Sequence, residues 1–116
     1  MLIRLSEASP ATFAEQIAAQ VRMGVARGEI TRGERLPAAR ELAASLGVNM
    51  HTVLRAYDAL REAGVIDLRR GRGAVVVDGN LPEVRSVLES AAALVSEAAS
   101  AGLSSAELSS LIRGMA

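Results

Sequence analysis

Gly47 and Asn49 stand one residue apart between two segments of helical periodicity, and no other feature narrows the fold as much. Glycine is favoured just past the end of a helix and asparagine is among the strongest N-caps, so "LGVN" reads as a stop and a start separated by Val48 alone. Ahead of it Ala39, Leu42, Ala43 and Leu46 make an apolar stripe, and after it Val53, Ala56, Tyr57 and Leu60 make another. Two helices joined by so short a glycine-containing turn are the pattern of a helix-turn-helix, whose second helix can enter a DNA major groove. Periodicity alone fits an ordinary antiparallel helix pair equally well.

The following stretch breaks the tie. In "VIDLRRGRGAVVV", residues 65–77, two β-prone runs flank "RRGRG", where Gly71 and Gly73 supply the backbone freedom of a hairpin tip and Arg69, Arg70 and Arg72 concentrate charge. A hairpin directly after such a helix pair is a wing, and arginine suits a narrow, strongly negative minor groove. A phosphate-cradling nucleotide loop would need a helix N-terminus behind the glycines, and a strand follows instead. On the wheel of the second helix, Val53 and Tyr57 face inward, His51, Arg55 and Asp58 point away, and Leu54 sits on the flank.

Composition agrees with a small binding domain. The chain has 116 residues, 50% hydrophobic and 22% charged, enough for one domain or a domain plus an appendage and too few for a large internal active site. No nucleophile, base and orienting group converge on any motif, so no catalytic residue is assigned and an enzyme is not expected. The formal net charge is zero, yet residues 35–75 hold seven arginines against four carboxylates, a local basic field. Every one of the 13 basic residues is arginine, which favours bidentate contacts to phosphates, guanines and carboxylates. The absence of cysteine excludes a disulfide scaffold, and with a single histidine no metal site or cofactor is expected. His51 reads as a polar contact residue, donating to a phosphate or a base acceptor. "MLIRLSEASP" is too short an apolar run for a signal peptide and no stretch suits a membrane span, so the expected location is the cytoplasm, with no membrane partner.

Around the helix pair, Ser9 and Pro10 are the expected cap and first position of an earlier helix. Phe13, Ile17, Val21 and Val25 form its inner face and Gly28 its end. "EITRGER" connects it, turning at Gly33, to Leu36 and Pro37. After the wing, Asn80 and Pro82 open a fourth helix with Val84, Leu88, Leu94 and Val95 on its stripe, and "SSAE", Ser104–Glu107, is a capping box for a fifth carrying Leu108, Leu111 and Ile112. Two helices of this size cannot cover each other's apolar stripes, so that surface must meet the winged domain or a second subunit; the expectation is a homodimer through those residues and, by its two-fold symmetry, a palindromic duplex as partner. The expected fold is therefore mainly α with a small β-hairpin. A winged helix-turn-helix domain over 9–78 (helix-turn-helix about 37–63, wing 65–77) is followed by a two-helix dimerisation tail over 80–116.

Residues 16–77, through "GERLPAARELA", "GVNMHTV", "LREAGVI" and "RRGRG", resemble the DNA-binding domain of the GntR family of bacterial transcription regulators. "VNMHTVLRAYDAL" and the short remainder resemble its YtrA-type subfamily. The resemblance implies a repressor that occupies its promoter, in a subfamily whose members often control transporter operons. It places DNA contacts at Arg40, on the first turns of the third helix and on the wing tip at Arg70 and Gly71; together with the residues read directly, the expected DNA-binding set is Arg40, Asn49, Met50, His51, Thr52, Leu54, Arg55, Arg70, Gly71 and Arg72. The chain departs from the pattern in two ways. Arginines common at the positions of Met50 and Leu54 are absent, leaving open whether Arg55 supplies a related contact, and Ala38 replaces the usual serine, removing an N-cap worth roughly 1 kcal/mol. A small-molecule effector is left open. The competing reading keeps the winged fold as a protein-interaction module without sequence-specific DNA binding.

Overall fold

The structure, a computed structural model, describes residues 2–116 and divides into two compact units that meet in sequence at Pro82 and Glu83. The first contains α1 (Phe13–Ala26), α2 (Ala39–Leu46), α3 (Met50–Glu62), β1 (Ile66–Arg69) and β2 (Gly73–Val76). The second comprises α4 (Pro82–Ser100), apart from its first residue, and α5 (Ser105–Met115). The fold is the expected one, mainly helical with one antiparallel hairpin.

In the first unit the inner faces of α1, α2 and α3 meet in one core, with Ile17, Val21, Val25 and Val53 fully enclosed and Leu42, Tyr57 and Leu60 buried beside them. The turn at Gly47 has the anticipated form. Gly47 takes the left-handed conformation (φ 70, ψ 33), and Asn49 Oδ1 accepts from the His51 N–H at 2.8 Å to cap α3. Ala38, lacking a side-chain acceptor, leaves the start of α2 without that bond. Tyr57 supplies a different tie, its hydroxyl donating to the Pro37 carbonyl at 2.6 Å.

Two expectations are corrected at α1. Thr12, not Ser9, is its N-cap, accepting from the Glu15 N–H at 3.1 Å while its own hydroxyl donates to the Glu15 carboxylate. Ser9 Oγ instead accepts from the Ala11 N–H, closing a turn ahead of the helix, so Pro10 lies outside it. Phe13 then becomes the first helical residue, and with its side chain tilted toward the open N-terminal end it stays half-buried, outside the core cluster. Part of the core comes from an extended segment before the helix, where Ile3 is buried. Its backbone is held by two carboxamides of α1. Gln20 accepts from Arg4 N (2.9 Å) and donates to Arg4 O (2.7 Å), and Gln16 does the same with Ser6 at 2.8 and 2.9 Å.

The hairpin pairs Ile66 with Val76 through Arg69 with Gly73, and Gly71 (φ 78) and Gly73 (φ 75) give the turn its left-handed residues. A third segment joins it. Arg35 bridges antiparallel to Val75, with Gly33 N–H donating to Val76 O (2.7 Å), Val76 N–H to Glu34 O (2.9 Å) and Leu36 N–H to Ala74 O (2.8 Å). The lead-in to α2 is thereby bonded to the wing.

In the second unit the capping box forms as read. Ser104 Oγ accepts from Glu107 N–H and the Glu107 carboxylate from Ser104 N–H, both at 3.1 Å. The Ser104 backbone N–H, then its hydroxyl, holds the Glu107 carboxyl below its ordinary pKa. Ala98 and Leu108 alone are buried here, while Val95, Leu111 and Ile112 remain 58%, 51% and 47% exposed. Two buried residues do not make a core.

Candidate nucleic-acid interface

Burial of Val53, Ala56, Tyr57 and Leu60 sets the rotation of α3, and it leaves His51, Arg55 and Asp58 exposed on the far face as the wheel requires. The other residues of the first turns are partly engaged. Met50 is half-buried and packs against the core, Thr52 is half-buried with its N–H donating to Asn49 O, and the Asn49 side-chain oxygen is occupied by the cap. Met50 accordingly offers less outward surface than its place in the first turn suggests.

Arg40 is exposed on α2, and Arg70, Gly71 and Arg72 are exposed at the wing tip. None of Arg35, Arg40, Arg55, Arg70 and Arg72 has a carboxylate within ion-pair distance. Arg69 is different, standing 4.0 Å from Asp67 on the same strand with both side chains about half exposed, a pair of small energetic weight. Guanidiniums without carboxylate partners on the surface of a small unit create a potential that attracts a polyanion.

The structure brings some of these residues together and separates others. An open groove of about 640 Å³ runs between the start of α2, α3 and the wing, lined by Arg35, Leu54, Tyr57, Leu68, Gly71 and Arg72 among others. Arg55 is not in it. One residue further along a helix is a rotation of about 100°, which carries Arg55 to the other flank of α3. There it lines a second groove of about 600 Å³ with Ala14, Glu15, Ala18, Arg22, Met23 and Ala59. Arg55 and Leu54 therefore border different grooves.

Arg35 is a groove residue that sequence reading missed. Its signal was the extended run "ERL" before Pro37, but its delivery to the groove depends on the bridge to Val75, forty residues on. The Tyr57 hydroxyl beneath the groove is buried, which pushes its pKa up to about 12. Among the described residues no group of three or more His, Cys, Asp or Glu side chains is placed to hold a metal ion, and no helix is long and apolar enough to cross a membrane.

Comparison with known proteins adds independent findings. The profile of the bacterial regulatory proteins of the gntR family matches residues 13–76. The HTH-type transcriptional repressor YtrA of Bacillus subtilis is 35% identical over 75 residues, 65% of this chain and 58% of that one. Among solved structures, YtrA from Sulfolobus acidocaldarius, a GntR-family transcription factor, is 36% identical with a TM-score of 0.64, covering 80% of this chain and 99% of that one. The DNA-binding domain of AraR, solved in complex with operator ORE1, shares the fold at 22% identity with a TM-score of 0.55, covering 66% of this chain and 94% of that one. The chain spans between 16% and 58% of the length of the relatives first matched by sequence.

Proposed function

The chain belongs to the gntR family of bacterial regulatory proteins and is of the YtrA type, and on that premise we propose that it is a sequence-specific DNA-binding repressor, not an enzyme, acting in the cytoplasm as a homodimer on a palindromic operator. The observation that carries this reading is the exposed face of α3 set beside a wing whose tip arginines have no carboxylate partner. Such a face supplies what duplex DNA requires, namely a helix for the major groove and cations for the phosphates alongside. In this reading His51 and Arg55 meet base edges or the adjacent backbone, and Thr52 donates its hydroxyl. Arg40 clamps a phosphate, and Arg70 and Arg72 enter or border the minor groove. AraR offers a precedent for the same fold on operator DNA.

The exposed apolar residues of the second unit support the dimer. Leu94, Val95, Leu111 and Ile112 are exposed, Val84 and Leu88 beside them are half-buried, and a second copy supplies a matching face by symmetry. Leu108, already buried, contributes from beneath. Repression follows from occupying a promoter and excluding polymerase, and a transporter operon is the first target to examine.

Selection of bound duplexes from random DNA tests the proposal. The expected product is an inverted repeat whose affinity falls steeply with salt as arginine contacts release condensed counterions. If no sequence is enriched, sequence-specific binding is refuted and the winged fold is a protein-interaction module instead.

A further inference from the structure

The groove between α3 and the wing holds apolar surface that contacts to phosphate do not account for. Leu54 is 38% exposed and Leu68 48% exposed, and both line this groove above the buried Leu36 and Ala74 and the ring of Tyr57. Singly exposed leucines are ordinary on protein surfaces. Here two of them share one groove, on the reading helix and on the wing, whose lining also carries Arg35 and Arg72 without ion-pair partners and the carboxylates Glu34 and Glu41. The charges of that lining balance, so the apolar pair is what selects an occupant, and on the DNA-binding reading the apolar group that a base edge offers in the major groove is the C5-methyl of thymine.

We infer that Leu54 reads a thymine in each half-site by packing on its C5-methyl group, with Leu68 closing the wing side of the same contact. The inference rests on the DNA-binding reading and adds to it the chemistry of one base. Leu54 stands one helical turn beyond Met50 and His51, on the flank of α3 that borders the wing groove, so it extends the base-reading surface toward the wing while Arg55 serves the opposite flank. A leucine has no hydrogen bond to offer a guanine or an adenine, and an apolar contact in the major groove discriminates only through that methyl.

Deoxyuridine provides the test, because replacing thymine by it removes the methyl and keeps every hydrogen-bonding group. In a duplex selected by the full chain from random DNA, thymines are replaced one at a time and the affinity measured. One thymine per half-site should show a loss of about fourfold, the worth of one buried methyl-sized group, and substitution in both half-sites about sixteenfold. Leu54→Ala should bind the thymine duplex more weakly, lose sensitivity to deoxyuridine at that position, and keep the salt dependence and the responses at other positions. Leu54→Met, apolar and of similar volume, should retain the sensitivity. Enrichment of a duplex with no methyl-sensitive thymine overturns the inference alone, as does a Leu54→Ala variant that still responds to the methyl. A Leu54→Ala variant that binds every duplex like the parent also overturns it and assigns the patch to a protein contact. Failure to enrich any duplex overturns the DNA-binding reading and this inference with it.

Discussion

Raising the pH from 9 to 12 should weaken the winged unit through a single side chain. The chain contains one tyrosine, no cysteine and, since all of its basic residues are arginine, no lysine. Arginine keeps its proton through this range and a terminal amine titrates below it, so Tyr57 titrates alone. Its hydroxyl is buried and donates to the Pro37 carbonyl at 2.6 Å, and burial pushes its pKa from the ordinary 10.0 to about 12. The folded-state value is raised, so the contribution to stability is fully present below pH 10 and is lost as pH climbs through 12. In the unfolded chain the phenol ionises first, and the loss amounts to on the order of 2 kcal/mol. That is a large share of the roughly 5–10 kcal/mol that stabilises a small domain. Urea denaturation followed by helical circular dichroism at closely spaced pH values measures it, with tyrosinate absorbance reporting ionisation. Tyr57→Phe should cost about 1 kcal/mol at pH 8, because the Pro37 carbonyl loses its donor, and its stability should then stay level across the window. A phenylalanine variant that declines as steeply as the parent, or a folded phenol that ionises near pH 10, would refute the reasoning.

Four other outcomes are expected. Ala38→Ser should stabilise the first unit by roughly 1 kcal/mol by capping α2, seen as a higher urea midpoint with an unchanged slope. Arg40→Ala should weaken specific and non-specific duplexes alike and make the salt slope shallower by about one, whereas a change confined to one base preference would make Arg40 a base reader. His51→Ala and Arg55→Ala should each relax preference at one or two positions per half-site, at roughly 1–3 kcal/mol for a direct base contact, measured by competition with single-base variants. Truncation after Pro82, or Leu94→Asp with Leu111→Asp, should yield a monomer by sedimentation and lower affinity for the palindrome by about two orders of magnitude, since the second half-site is no longer bound intramolecularly.

Local chemistry was legible in the sequence wherever a few consecutive residues decide it. Gly47 and Asn49 act within one turn of each other, Glu107 reaches back three residues to Ser104, and the spacing of Val53, Tyr57 and Leu60 fixes the rotation of α3. The start of α1 was misread, at Ser9 and Pro10 instead of Thr12. "TFAE" offers a cap three residues before a glutamate, but the serine and proline just upstream imitate a start, and only the turn that Ser9 closes shows which wins. Contacts between distant segments were not legible. Gln16 and Gln20 look like solvated helix residues until an extended segment lies beside them, and Arg35 reaches the groove only because Val75 pairs with it. For the same reason neighbours on a helix can part company at the site, as Leu54 and Arg55 do.

The three bonds between residues 33–36 and β2 bear on the thermodynamics of association. A free hairpin that ordered only against DNA would forfeit about 1–2 kcal/mol of conformational entropy for each residue immobilised, and the affinity would be lower by that amount. Here both edges of β2 are bonded before any ligand arrives, β1 on one side and the lead-in to α2 on the other. Residues 70–72 at the tip are held only by the turn in which the Arg72 N–H donates to Arg69 O at 2.9 Å. The wing is a preorganised arm, and the amides of Leu36 and Val76 should exchange with solvent on the timescale of the core, leaving Arg70, Gly71 and Arg72 as the segment whose exchange slows when DNA binds.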